Sequence, residues 1–388
     1  MKILLIHQYF KTPADAGGIR SYHVARGLVE RGHEVVVITA HNRSSYRKTT
    51  VEGSQVHYLP VAYDNTFGFL RRVVSFLRFT FRSIRIAVKE PDVDIAYVIT
   101  TPLSTAFVAL YLKTFRGIPY VFEVGDLWPE VPVKMGILQN PLIKALAYLL
   151  EKKAYHHAIG LVALSPGIAE YMTAKVPDQR VVIVPNMSDL DFFQPSTTAF
   201  PDRIKVLYCG AIGVANHLEF LLDAAKECQR EKLPVSFTIV GEGARKIAIA
   251  TLARSVANVE VLEAVDRSGL KSLIDQHDAF YVSFQDVAVL HTGSPNKYFD
   301  GLAAGKLMIL NLGGWLKELT ESSQCGFAYD PHRPSEFVKQ LTTYLKNPDL
   351  LTLAQQSARK LAKDFSVERS IEKIEKFILD CTGKNETE

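Results

Sequence analysis

Cysteine is scarce in this chain. Four are spread over 388 residues, at positions 209, 228, 325 and 381, with no CxxC and no Cys/His pairing. That excludes a disulfide framework and a zinc site of the usual spacing, and reads as reduced thiols in a cytoplasmic protein. Long apolar runs are missing as well. No stretch reaches 18 apolar residues, so no membrane-spanning helix is expected. The opening MKILLIHQYF has one Lys and an apolar patch broken by His7, which is not a signal-peptide pattern. GxGxxG does not occur, which argues against a nicotinamide cofactor. There is no fixed-period repeat. Residues 67–89 contain no acid at all.

What is present fits an ordinary globular protein with two domains: 47% hydrophobic and 22% charged residues over a length sufficient for two cores. The net charge of +4 hides an asymmetry. Residues 1–190 hold 22 Lys/Arg against 15 Asp/Glu, and residues 191–388 hold 23 against 26. A basic first half points to an anionic partner there.

Strand and helix patterns alternate twice. KILLIHQYF, a Gly-containing loop, RSYHVARGLVERG and EVVVIT form a β-loop-α-β unit, and VDIAYVIT, IPYVFEV, AIGLVALS and RVVIVPN continue the series. PLIKALAYLLEKKAYHH reads as a helix. A weakly patterned linker, DLDFFQPSTTAFPDR, separates a second series that starts at IKVLYCGAIG and runs through VSFTIVGEG, VEVLEA, DAFYVSF and LMILN. The expected fold is α/β, with two doubly wound Rossmann-like domains facing a central cleft. Their boundaries are 1–190 and 191–365, followed by a helix and frayed tail at 366–388 that packs back on the first domain. Ligands of such sheets sit at the carboxyl ends of the strands.

The signals gather at those strand ends. Gly17 and Gly18 separate the first strand from its helix and let backbone approach a ligand, although a plain tight turn uses glycine in the same way. In FEVGDLWPEVP, Asp126 follows a strand and precedes Trp128. It can grip sugar hydroxyls or take an acceptor proton, or simply cap the next helix, with Glu130 a second carboxylate and Glu123 a buried structural acid. Gly210 and Gly213 border a strand-to-helix loop, and Gly241, Glu242 and Gly243 another, with Lys246 one turn on. In HTGSPNKYFDGLAAGK, Ser294, Pro295 and Asn296 lead into a short helix carrying Lys297 and Asp300 three residues apart. One helical turn puts both side chains within reach of one ligand, Lys297 on a phosphate and Asp300 on a ribose diol; an exposed ion pair between them is the plainer reading.

Taken together these segments resemble a glycosyltransferase of the GT-B fold, family 4 type, over nearly the whole chain. LVERGHEVVVIT is similar to the family's opening segment, LVALSPGIAEYM and VIVPNMSDLDFFQP to two middle ones, and GSPNKYFDGLAAGK to its acidic-pair region. QCGFAYDP and Phe365-Ser366 match its closing part, and GDLWPE resembles a subgroup that builds bacterial surface polysaccharides. The resemblance implies retaining, metal-independent transfer from a nucleotide-sugar donor, with no cofactor. The second domain would hold the donor and the first the acceptor. Asp300 stands where the family's second acid grips the ribose, and Ser294 to Lys297 stand near the diphosphate. The subgroup implies a UDP donor carrying an N-acetylhexosamine and a polyprenyl-diphosphate-linked glycan acceptor, as in O-antigen assembly. The pattern also departs from the family. Thr292 takes the place of the first acid, and Ala211 and Asn216 replace an Arg and a Lys that usually clamp the diphosphate. Lys297 and backbone amides are left to carry that load, with Arg20 or Arg267 as further cations. Asp126 and Lys297 are the expected catalytic residues.

The acid-free stretch supplies a membrane partner. In residues 67–89, Val73, Leu77, Phe81, Ile84 and Val88 recur at helical spacing beside Arg78, Arg82, Arg85 and Lys89, preceded by Arg71 and Arg72. This reads as an amphipathic helix on the inner leaflet, facing the cytoplasm; a domain helix with a solvated basic face is the alternative. No nucleic-acid module accompanies the charge. Two other functions fit the same architecture: a nucleotide-sugar epimerase, and a catalytically silent nucleotide-sugar binder.

Overall fold

The computed structural model describes residues 1–15, 17–64, 67–195 and 202–384. Residues 196–201 of the expected linker and 385–388 of the expected tail lie outside these. The chain divides into two compact units: unit 1 holds Met1–Thr12, Ile19–Pro185 and Glu368–Glu388, and unit 2 holds Pro13–Gly18 and Asn186–Val367.

Unit 1 is built on eight strands, β1 (Lys2–Ile6), β2 (Glu34–His41), β3 (Arg47–Val51), β4 (Ser54–Pro60), β5 (Ile95–Thr100), β6 (Tyr120–Val124), β7 (Gly160–Ala163) and β8 (Val181–Ile183), in the order β3-β4-β2-β1-β5-β6-β7-β8. All pairings are parallel except β3 with β4. The central strands are apolar throughout because helices cover both faces: IAYVIT and YVFEV are buried at every position. The β3–β4 hairpin is an element that hydrophobic periodicity did not reveal. Its strand RKTTV is mostly polar and lies at the sheet edge, where no apolar face is needed.

The helices of this unit are α1 (Arg20–Glu30), α2 (Phe69–Ala87), α3 (Thr105–Arg116), α4 (Glu130–Lys134), α5 (Pro141–His157) and α6 (Pro166–Lys175). Local chemistry starts several of them: Asn140 caps α5 and Ser165 caps α6, each followed by Pro in the first turn.

Unit 2 has six parallel strands, β9 (Ile204–Cys209), β10 (Val235–Val240), β11 (Val259–Leu262), β12 (Ala279–Val282), β13 (Leu307–Leu310) and β14 (Gly326–Ala328), ordered β11-β10-β9-β12-β13-β14. Its helices are α7 (Glu219–Arg230), α8 (Lys246–Ala253), α9 (Arg267–Asp275), α10 (Asn296–Ala303), α11 (Trp315–Ser322), α12 (Pro334–Lys346) and α13 (Pro348–Ala362). Two apolar layers sandwich this sheet. One centres on Tyr208, Phe237, Tyr281 and Phe337, the other on Phe193, Phe280, Phe299 and Leu302. The last helix, α14 (Val367–Thr382), belongs to unit 1 apart from its first residue. Glu375 there meets Arg31 at 3.1 Å and His33 at 2.9 Å.

Candidate functional site

In unit 2 the loops after β9 and β10 and the N-terminal turn of α10 meet at the carboxyl edge of the sheet. The β9 loop is tied to its neighbour by backbone bonds, Gly210 N–H to Val240 O at 3.0 Å and Ile212 N–H to Glu242 O at 2.8 Å. This packing explains two of the glycines. A Cβ on Gly241 would lie 1.8 Å from the Gly210 carbonyl oxygen, and one on Gly243 would lie 2.4 Å from that of Ile212. Their missing side chains therefore serve loop against loop. Glu242 is exposed and pairs with Lys246, which also meets Glu263 at 2.5 Å.

Lys297 projects from the first turn of α10 onto this loop. Its Nζ donates to Tyr208 Oη at 2.8 Å and lies 4.2 Å from the centre of that ring. Tyr208 in turn donates to Ala211 O at 2.6 Å. A Cβ at Gly210 would come within 3.1 Å of Lys297 Cε and Nζ, so the ammonium sits directly over the glycine loop. Burial pushes Lys297 down to about 8. It makes no ion pair with Asp300, which disposes of the plain i,i+3 pair.

Asp300 lies one turn on, in different company. Burial raises its carboxyl to about 7, partly offset by Arg267 and reinforced by Asp189. Arg267 donates to Asp189 Oδ2 at 2.8 Å and stacks on Phe192 and Phe193, with ring centres 4.5 and 4.9 Å away, while its buried Nε has no partner. Arg267 thus belongs with the Asp300 end of the site.

The remaining expected contacts separate. Ser294 is buried: its Oγ accepts from the Asn186 N–H at 3.0 Å and its carbonyl from the Asn186 side chain. Pro295 precedes α10, whose start has no side-chain cap; the Tyr298 N–H donates back to Pro295 O at 3.1 Å, which leaves those of Asn296 and Lys297 to meet an anion. Exposed Asn296 lies under Gly18, where a Cβ would approach Nδ2 to 2.4 Å; Gly17 faces open space. Gly213 adjoins the Asn216 amide, and buried Asn216 is held by Ser283. Arg20 is a correction. Its guanidinium is buried in unit 1, bidentate to Glu123 at 2.8 and 2.9 Å and donating to the Val184 and Pro185 carbonyls. With every side of the fork occupied, it is not a diphosphate ligand. Glu123 is the buried structural acid, also receiving Tyr97 Oη at 2.5 Å.

In unit 1, Asp126 follows β6 and accepts from Thr101 Oγ1 at 3.3 Å. Water reaches it, so the upward push that surrounding protein gives its pKa is limited by solvation. Glu130 is occupied instead with Tyr148, Tyr171 and Lys134.

Helix α2 buries a stripe of Ser75, Phe79, Ser83 and Ala87. An apolar face is turned out, with Leu70 77%, Val74 44%, Leu77 42% and Phe81 66% exposed. Arg71, Arg78, Arg82, Arg85 and Lys89 are exposed beside it, while Arg72 is half-buried and donates to Phe67 O. Arg82 also donates to Pro60 O. Helix α3 packs against both α2 and α5. It exposes Phe107 and Phe115, and α5 exposes Leu142, Ile143, Leu146 and Leu149. Among the described residues no helix is long and apolar enough to cross a membrane, and no group of three His, Cys, Asp or Glu is placed to hold a metal ion.

Two family models match consecutive parts of the chain: "Glycosyl transferase 4-like domain" over residues 17–187 and "Glycosyl transferases group 1" over residues 203–347. WcaI of Escherichia coli (strain K12), assigned as a colanic acid biosynthesis glycosyl transferase, is 24% identical over 99% of this chain and 100% of its own length. Sucrose-phosphate synthase of Thermosynechococcus elongatus superposes with a TM-score of 0.79 at 16% identity, covering 99% of this chain and 100% of that one. HepE of Anabaena, solved with UDP and glucose, superposes at 0.71 with 15% identity, covering 97% and 99%.

Proposed function

We propose a lipid-directed sugar transfer for this chain, which belongs to the GT-B glycosyltransferases of the family 4 type. Unit 2 takes a UDP-sugar, the sugar being of the N-acetylhexosamine kind. Unit 1 takes a polyprenyl-diphosphate-linked glycan at the inner leaflet, on the cytoplasmic side, in surface polysaccharide assembly. The observation that carries this is the placement of Lys297 Nζ over the Gly210 loop, one turn before a half-buried Asp300. A pyrophosphate laid against Gly210 meets an ammonium and the uncapped first turn of α10. The nucleoside then extends toward Asp300, whose carboxylate accepts from the ribose hydroxyls.

The chemistry follows from charge. When the sugar–phosphate bond breaks, negative charge grows on the leaving diphosphate, and preorganised donors stabilise it without reorganising. The acceptor hydroxyl attacks on the face the diphosphate leaves, and its proton passes to the departing phosphate oxygen. The anomeric configuration is retained and no metal is needed. Asp126 orients the acceptor hydroxyl. The outward apolar ridge of α2, its basic border, and the exposed apolar stripes of α3 and α5 favour an anionic bilayer as the docking surface.

The test is incubation with a panel of radiolabelled UDP-sugars, with and without a bacterial lipid extract. Label moving into the lipid phase in the presence of EDTA, in a product of unchanged anomeric configuration by NMR, is the expected result. A new free nucleotide sugar formed without lipid would make it an epimerase, and UDP-sugar binding without turnover a silent binder.

A further inference from the structure

We propose that Tyr9, Tyr63, Phe76 and Trp128 of unit 1 form a stacking platform for a sugar ring of the acceptor, an inference that rests on the transferase reading above. The four rings come from four separate segments: the loops after β1, β4 and β6, and helix α2. They meet in sequence. Tyr9 and Tyr63 have ring centres 5.0 Å apart, Tyr63 and Phe76 are stacked at 5.7 Å and 22°, and Phe76 meets Trp128 edge-on at 6.3 Å and 89°. None of the four is fully buried. Core aromatics of this unit behave differently: Phe79, less than one turn along α2 from Phe76, and Tyr97 and Phe122 in the sheet are all 0% exposed. Unlike those three, each ring of this row keeps part of its surface in solvent at the carboxyl edge of the sheet.

The row ends at the expected reacting centre. The Trp128 backbone N–H donates to the Asp126 backbone carbonyl at 3.0 Å in a local turn, and the Asp126 side chain accepts from Thr101. Two buried polar atoms without partners belong to the residues that precede Tyr9 and Thr101 in the chain, Gln8 Oε1 and Thr100 Oγ1. Aromatic rings, the Tyr9 and Tyr63 hydroxyls, which bond to each other, and the Asp126 carboxylate at the end of the row match a pyranose, which presents C–H groups on its faces and hydroxyls at its rim. An isoprenoid chain offers nothing to the hydroxyls and finds its apolar partners elsewhere, on the outward faces of α2, α3 and α5. A sugar on this platform would bring one hydroxyl to Asp126.

Tryptophan fluorescence tests this directly. The chain has two tryptophans, so Trp315→Phe leaves Trp128 as the sole reporter. That variant is titrated with N-acetylglucosamine, glucose, galactose and mannose, and separately with dodecyl phosphate. The expected result is a saturable emission change with at least one sugar, weakened about five- to tenfold by Tyr63→Ala or Phe76→Ala. A response to dodecyl phosphate alone, or to nothing up to the solubility limit, overturns the platform. In the transfer assay Trp128→Ala should raise acceptor KM and leave donor KM in place, with Trp128→Phe largely restoring it; unchanged acceptor KM also overturns it. The two readings fail separately. Sugar binding in a chain that transfers nothing refutes the transferase, and transfer indifferent to Trp128 refutes the platform.

Discussion

Lys297 and Asp300 are three residues apart in sequence but answer to different neighbours. Lys297 leans on Tyr208 and the Gly210 loop, where a diphosphate can reach it. Lys297→Ala should therefore lower kcat by about 10²–10³, the scale for losing one preorganised donor, with UDP affinity less affected; near-parental turnover would assign the charge to other groups. Gly210→Ala reaches the same atom from the other side, since its Cβ would displace the ammonium at 3.1 Å and Gly210 has φ of +141°. The substitution should cut turnover and destabilise by about 1–3 kcal/mol, read by kinetics and thermal melting.

Asp300 gives a pH dependence. Its folded pKa is raised to about 7 from an unfolded value of ~3.9. Between those values the folded protein holds a proton that the unfolded chain has lost, so this group's contribution to stability falls as pH rises toward 7. The ribose diol needs the ionised form. UDP binding should then tighten from pH 6 to pH 7, before Lys297 at about 8 gives up its charge, and release a proton at the lower pH, both by calorimetry, and Asp300→Asn should flatten that rise.

At the scale of elements, α2 is informative because its pattern and its packing disagree with the ordinary rule. A domain helix buries its most apolar stripe. Here the sheet side takes Ser75, Phe79, Ser83 and Ala87, and the larger residues Leu70, Leu77 and Phe81 remain in solvent. Reversing charge at Arg78, Arg85 and Lys89 spares Arg82, which holds the Pro60 carbonyl. At about 1 kcal/mol per basic residue near an anionic surface, the triple Glu variant should lose most of its binding to phosphatidylglycerol vesicles in a sedimentation assay. Equal partitioning of parent and variant would leave the helix a domain helix with a basic face. Periodicity made an apolar stripe and a basic one visible in the sequence, but the stripe that is buried, Ser75, Phe79, Ser83 and Ala87, is neither of them. Helices α3 and α5 show the same difficulty: their outward Phe115 and Leu146 look like core residues until the neighbours are known.

At the scale of the whole molecule, the chain leaves unit 1 at Pro185, builds unit 2, and returns at Glu368. The return is held by close packing. Ile371, Ile374 and Ile378 are buried, and Gly27 leaves room for Ile371, whose atoms would lie 2.7 Å from a Cβ there. Ile371→Asp places a carboxylate in that contact and should destabilise the fold by about 3 kcal/mol or more, read as a lower melting temperature. UDP should still raise the melting temperature of this variant, because its proposed binding groups all lie in unit 2.

The sequence by itself determined the alternation of strands and helices, the glycines at strand ends, and the pairing of Lys297 with Asp300 on one short helix. Those follow from local rules: side-chain period, turn chemistry and helical spacing. Only tertiary structure decided what each group meets. It spent Arg20 on Glu123, explained Gly241 and Gly243 by the carbonyls opposite them, and assembled Tyr9, Tyr63, Phe76 and Trp128 from segments far apart in the chain. The physical reason is that contact, burial and desolvation depend on neighbours brought together by the sheet, and no local pattern encodes them.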